Sequence, residues 1–266
     1  MPDSSPDQPA DAGLEVRTHF VRSRNVLLAR ADFSPLYVDY YLHLSDHALR
    51  PAAAHDALFK RALAGFVLHA ASRPWNEHMA WTINFQDPLL NVFVTGDNQT
   101  GTVTGRIFTD NVKTLPSPLF YSDVIRGRQP KRRSAVEFQG ADPLAAAEAF
   151  YAQSEQRRGR YFQVEEEVFA FAVEHPDCDV DWLAGLTVET MRTVDQTEEV
   201  ALLERRMVRW HCGCNQSRML EVLAPVFQTE PEELFGGGET LEMRCPRCAA
   251  RHLITREALE AFVQQT

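Results

Sequence analysis

The chain has little cysteine: five residues among 266, too few for the disulfide framework that holds small secreted domains together. It has no apolar run near the ~20 residues needed to span a bilayer, which excludes a membrane-spanning helix. Positive charge is not in excess either. A formal net charge of −10 and a pI of about 5.4 argue against a mainly nucleic-acid-binding protein and against an anionic membrane surface as partner. No Gly-x-Ser-x-Gly elbow or His-Glu-x-x-His pair occurs, and Gly236-Gly237-Gly238 lacks the Lys and Ser/Thr of a phosphate loop. His69 and His78 are too far apart for a helical metal pair. Glu165-Glu166-Glu167 reads as a solvated strand face rather than as catalytic carboxylates. These absences point away from an enzyme. The opening Met1-Pro2-Asp3-Ser4-Ser5-Pro6-Asp7 has neither the basic nor the apolar stretch of a secretory signal, so a reducing cytosol is the expected compartment.

What is present is an ordinary globular composition, 44% apolar and 24% charged, with length for one large domain and one small one. Residues 1–13, rich in Pro and Asp, predict a disordered tail. A strand pair is expected over 14–32. Leu58, Phe59, Ala62, Phe66 and Ala70 recur at helical spacing and predict a helix over 52–72. Met79, Trp81, Ile83 and Phe85 alternate with Ala80, Thr82, Asn84 and Gln86, the pattern of a half-buried strand that opens a meander through 89–95 and 102–108. Strand-like pieces at 119–125 and 134–139 flank a basic turn. Asp142-Pro143 starts a helix, with Asp as N-cap and Pro in the first turn, and 161–173 reads as one long strand. Residues 14–184 are thus an α+β domain with a large mixed or antiparallel sheet and packed helices. Residues 185–209 carry few apolar positions. Asp195 with Glu198 suggests a capping box there, for a helix too polar to be stable alone, so the stretch reads as a short helical linker. Residues 210–266 form a small cysteine module ending in a helix capped by Thr255.

Four of the five cysteines lie in that module, as Cys212-Gly213-Cys214 and Cys245-Pro246-Arg247-Cys248, with 30 residues between the pairs. Four thiols gathered in this way predict one tetrahedral Zn²⁺ site on Cys212, Cys214, Cys245 and Cys248. A metal also explains how so small a module folds. Structural zinc is worth roughly 10–16 kcal/mol in small modules, against about 5–15 kcal/mol for a whole domain. The spacing leaves two purposes open, a permanent clamp or a site whose thiolates are oxidised and lose the metal. A thioredoxin-like reading of Cys-Pro-Arg-Cys is disfavoured, because the motif sits between two strand-like pieces and not at a helix start. His211 and His252 flank the cysteines, but four thiolates already fill a tetrahedron. Cys178 lies between Asp177 and Asp179, whose charges disfavour its thiolate, and reads as an incidental free thiol.

The order Cys-x-Cys, an interval of this length, then Cys-x-x-Cys, after an α+β domain and a linker, resembles the heat shock protein 33 family of redox-regulated bacterial chaperones. Residues 90–104, with Gly96-Asp97-Asn98-Gln99, look like that family's meander. Residues 142–156, ending Tyr151-Ala152-Gln153-Ser154-Glu155-Gln156, look like its helix before the long strand. The resemblance implies an ATP-independent holdase that binds unfolding or partly folded client proteins under oxidative stress. Reduced, it would hold one Zn²⁺ on the four cysteines with the linker folded. Oxidised, it would carry disulfides Cys212–Cys214 and Cys245–Cys248, release zinc, disorder the linker and act as a homodimer, with no nucleic-acid or membrane partner. Two features depart from the pattern: a shorter linker, and a turn at Asp87-Pro88 without the family's glycines. The alternative is a zinc-ribbon interaction module that binds a protein or nucleic acid without redox control. Arg209, Arg218, Arg244, Arg247, Arg251 and Arg256 would lend it positive charge.

Overall fold

The computed structural model describes residues 13–265. The tail expected over 1–13 therefore lies, except for Gly13, outside the described residues. The chain opens with a hairpin, β1 (Leu14–Val21) and β2 (Val26–Asp32), followed by α1 (Ser34–Asp46) and α2 (Ala53–Ala71). The meander is β3 (Glu77–Gln86), β4 (Leu89–Asp97) and β5 (Thr102–Phe108), and β6 (Leu119–Arg126) and β7 (Arg132–Glu137) extend it. Next come α3 (Pro143–Phe150), which continues as a wider turn over Tyr151–Glu155, then β8 (Gly159–Gln163) and β9 (Val168–Glu174). Three short helices, α4 (Val180–Gly185), α5 (Val188–Arg192) and α6 (Val194–Thr197), lead into β10 (Val200–Trp210). The last part holds α7 (Gln216–Thr229), α8 (Pro231–Phe235), β11 (Thr240–Arg244), β12 (Arg251–Thr255) and α9 (Arg256–Gln265).

Ten strands form one sheet in the order β7-β6-β3-β4-β5-β10-β1-β2-β9-β8. The fold is α+β, with helices packed on both faces of the β1-β2-β9-β8 part. On one face lies α2, apolar nearly all round from Phe59 onward and buried accordingly. It crosses α3 so closely that a Cβ on Gly65 would sit 2.8 Å from a methyl of Leu144. The second face, lined by Val21, Val26, Leu28, Phe162, Ala170 and Ala172, is covered by Leu183, Leu186, Met191 and Val194 of the three short helices and their connections.

Two expected elements take a different form. The run 161–173 is not one strand but the hairpin of β8 and β9. Three consecutive glutamates cannot lie in a buried central strand without partners, so the chain turns there, with Val164 and Glu165 N–H both donating to Val168 O at 2.8 and 3.3 Å. Residues 185–209 start as the expected short helices but end as β10. The capping box of this stretch joins Thr187 and Thr190, not Asp195 and Glu198. β10 pairs antiparallel with all of β1 and parallel with β5 only at Arg209↔Thr102 and Trp210↔Val103. Of its side chains only Arg206 is buried. That guanidinium donates to Ala70 O at 3.2 Å and lies 4.4 Å over the Trp75 ring, while Trp75 Nε1 and Arg206 both donate to Glu204. The strand is thus held mainly by backbone pairing and one polar clasp, with apolar packing confined to its ends at Val200, Val208 and Trp210.

Candidate metal centre

The cysteines are presented by two different local devices. The first pair follows β10 after a single residue, and Gly213 between them has φ +68°, a left-handed conformation open to glycine at little cost. The second pair sits in the turn joining β11 and β12. There Cys245 N–H donates to Ala250 O at 2.8 Å and Ala249 N–H to Cys245 O at 2.9 Å, with Ala249 itself at φ +64°. This tight knuckle turns the backbone N–H groups of Arg247 and Cys248 onto the Cys245 sulfur.

The structure brings the four sulfurs within 4.8 Å of one another. Cys212 lies 3.6 Å from Cys245, and Cys214 lies 3.6 Å from Cys248. Four sulfurs about 2.3 Å from a central zinc would stand roughly 3.8 Å apart, so these separations suit a metal, and such a cluster could hold an ion. They are well beyond the ~2.05 Å of a disulfide, and all four cysteines are free thiols. Cys245 and Cys248 are buried, whereas Cys212 and Cys214 are half-exposed, the side from which an oxidant has access.

Crowding governs their ionisation. Sulfur contacts with Cys212 and Cys248, then the knuckle N–H groups, hold the Cys245 thiol well below its usual value. Burial, then the charge of Cys212, pushes Cys214 up to about 12. Contacts with Cys212 and Cys245, then burial, push Cys248 up strongly. The Cys245 thiolate forms readily while those of Cys214 and Cys248 are opposed by burial and by their sulfur neighbours, a conflict that a bound dication would relieve.

The body of the protein grips both cysteines of the second pair by their backbone. Arg106 of β5 donates to Cys245 O at 3.2 Å. His43 of α1 lies with Nε2 2.8 Å from Cys248 O, and because a carbonyl only accepts, Nε2 carries the proton. Burial holds His43 below its ordinary basicity, so the ring is neutral at neutral pH. Arg251 N–H donates to His47 Nδ1 at 3.3 Å, and Trp210 packs among Tyr40, His43 and Phe59. His211 and His252 stand beside the cluster and are not part of it. Sequence reasoning missed Arg106 and His43 as site residues, because a side chain that binds a distant carbonyl leaves no local pattern.

Cys178 is remote from this group. It packs under the short helices near Trp182, and burial followed by the Glu174 charge pushes its thiol up. Glu165, Glu166 and Glu167 form the β8–β9 turn, where Glu167 accepts from Lys60 at 2.8 Å. His69 is buried and Tyr151 Oη lies 2.6 Å from its Nδ1. No described helix is long and apolar enough to cross a membrane.

Comparison with known proteins leads to one family. The model described as "Hsp33 protein" matches residues 174–255, the stretch from the end of β9 through both cysteine pairs. Among curated proteins, the 33 kDa chaperonin of Caldanaerobacter subterraneus is 29% identical over 82 residues, 30% of this chain and 28% of the relative. The 33 kDa chaperonin of Nitrosococcus oceani is 26% identical over 161 residues, 52% of this chain and 55% of the relative. The matched parts thus span about half or less of these relatives. The crystal structure of the 33 kDa chaperonin (heat shock protein 33 homolog) from Thermotoga maritima superposes with a TM-score of 0.71 at 16% identity, over 95% of this chain and 98% of that one, a likeness of fold.

Proposed function

We propose, for a chain that belongs to the Hsp33 family, that it is an ATP-independent holdase. Its apolar client surface is covered while Cys212, Cys214, Cys245 and Cys248 hold one zinc ion, and uncovered when they are oxidised. An all-sulfur donor set suits zinc over magnesium or calcium. Zinc, when bound, would offset half of the charge of the four thiolates and tie the two cysteine pairs into one site. The units in this reading are a body over 14–184, a redox-sensitive linker over 185–209 and the metal module over 210–266. Its setting is a reducing cytoplasm, and no catalytic step is needed.

The observation that carries this reading is the pair of grips on the metal-site backbone, Arg106 on Cys245 O and His43 on Cys248 O. Oxidation by peroxide takes two electrons from each pair. The two thiols of a pair become a disulfide, and one peroxide becomes two waters. The pairing we infer is Cys212–Cys214 and Cys245–Cys248, although the close contacts in the reduced form run between pairs. A knuckle closed by a disulfide no longer offers thiolates to a metal or its two carbonyls to Arg106 and His43. The anchor at the end of β10 then loosens, and the short polar helices that precede it come away from the second face of the sheet. Val21, Val26, Leu28, Phe162, Ala170 and Ala172 become the surface for unfolding clients and for association into a homodimer.

One observation favours the second reading, a permanent zinc module without redox control: β10 is paired with the whole of β1 from Val200 to Val208, with one break in register between Thr18 and His19, and resists release. The two are separated by treating zinc-loaded protein with peroxide at raised temperature, then measuring zinc release and suppression of client aggregation. The holdase reading expects both to rise together, with mass mapping placing disulfides within each pair. Equal suppression before and after oxidation, or zinc that stays bound, would favour the permanent module.

A further inference from the structure

A cleft of about 240 Å³ opens where the metal module meets the body. Three guanidiniums line it, Arg50 from the turn after α1, Arg106 from β5 and Arg244 from β11, with one carboxylate, Asp110, and the metal-site residue Cys248 in the wall. In a chain with net charge −10, this local excess of positive charge runs against the overall balance. Arg244 is paired with Glu242 at 3.1 Å. Arg50 has no carboxylate partner among the described residues. Arg106 spends one nitrogen on Cys245 O, while its Nε is buried and has no hydrogen-bond partner among the described residues. An unpaired buried donor beside a second unpaired cation is a costly arrangement that an anion would relieve. The remaining walls are apolar, chiefly Leu44, Phe59, Ile107 and Phe108. The volume is below that of sites for drug-sized ligands.

We infer that this cleft is a binding site for a small amphiphilic organic anion, a carboxylate or phosphate head held by Arg50 and Arg106 with a short apolar tail along Phe59 and Phe108. The inference rests on the cleft itself and not on the redox reading. Its walls come from both the body and the knuckle, so an occupant touches both and favours the docked arrangement by mass action.

The test is calorimetric titration of reduced, zinc-loaded full-length protein with octanoate, alongside octylamine and inorganic phosphate. One saturable octanoate site per chain is expected, with weaker binding of phosphate and no binding of octylamine. Arg50→Glu changes an exposed turn residue and leaves the fold intact; it should weaken octanoate at least about tenfold, the value of one lost charge-assisted hydrogen bond. Arg106→Gln should do the same. Octanoate binding that Arg50→Glu leaves unchanged would overturn the site. Octylamine binding as tightly as octanoate, or phosphate binding as tightly, would overturn the assignment of an anionic head on an apolar tail.

Discussion

His69 illustrates how burial decides a charge against its local surroundings. It sits in the last turn of α2, where the helix dipole favours an imidazolium by about 0.3–2 kcal/mol. Full burial opposes this, and the charges of Arg73 and Arg157 add to burial, so its basicity falls well below the usual histidine value. The folded value is depressed, so its stabilisation is present above the unfolded value near 6.5 and is lost as pH drops below it. Between pH 7 and pH 5 this group should remove up to about 2 kcal/mol of stability. Denaturant titrations at the two pH values should show that loss, and His69→Gln should flatten it. At the metal centre, Cys245→Ser should abolish tight zinc binding and leave the C-terminal module open to protease even under reducing conditions. A variant that kept both metal and protection would contradict the four-ligand assignment.

The elements legible in the sequence are those whose burial follows their period. α2 and the β3–β4–β5 meander were expected close to their observed ends because one face, or in α2 nearly every side, is apolar. α1 was not expected: Leu36, Tyr37 and Tyr40 are buried while Val38, Tyr41 and Leu42 are exposed, so no clean stripe stands out. β10 was hidden for the opposite reason, its packed apolar residues being confined to its ends, Val200, Val208 and Trp210, with no alternating stripe between. Its strand state comes from β1, a tertiary effect that propensity does not carry. The same limit applied to the site. The grouping of four thiols could be read from spacing, whereas Arg106 and His43 reach the cysteines from β5 and α1 through backbone carbonyls. The short helices α4–α6 invite a direct test. Leu183 is fully buried against the sheet, so Leu183→Ala should cost about 2–5 kcal/mol. On the proposed reading it should also raise binding of a hydrophobic dye by the reduced protein. A variant with intact stability and no added dye binding would mean that these helices are not the cover.

For the whole molecule, cores of very different size share one chain. The body is built around a continuous apolar cluster on α2, whereas the C-terminal module relies on Met219, Leu220, Leu223, Phe235, Ile254 and Leu259. A metal contribution of roughly 10–16 kcal/mol exceeds what so small a core supplies. Chelation under reducing conditions should therefore expose Arg244, Arg247 and Arg251 to trypsin while 14–174 stays protected, as read by mass spectrometry of the fragments. Equal protection with and without chelator would show a module that folds without metal. The place of β10 in the sheet adds a mechanical consequence. Its C-terminal end, next to Cys212, meets β5 through only two residue pairs, whereas Val200–Val208 lie antiparallel along β1. Tension applied from the cysteine side breaks those two rungs first and then unzips the β1 ladder pair by pair, so the strand comes away progressively, with Trp210 leading and the Arg206–Trp75 clasp as the first barrier along the way.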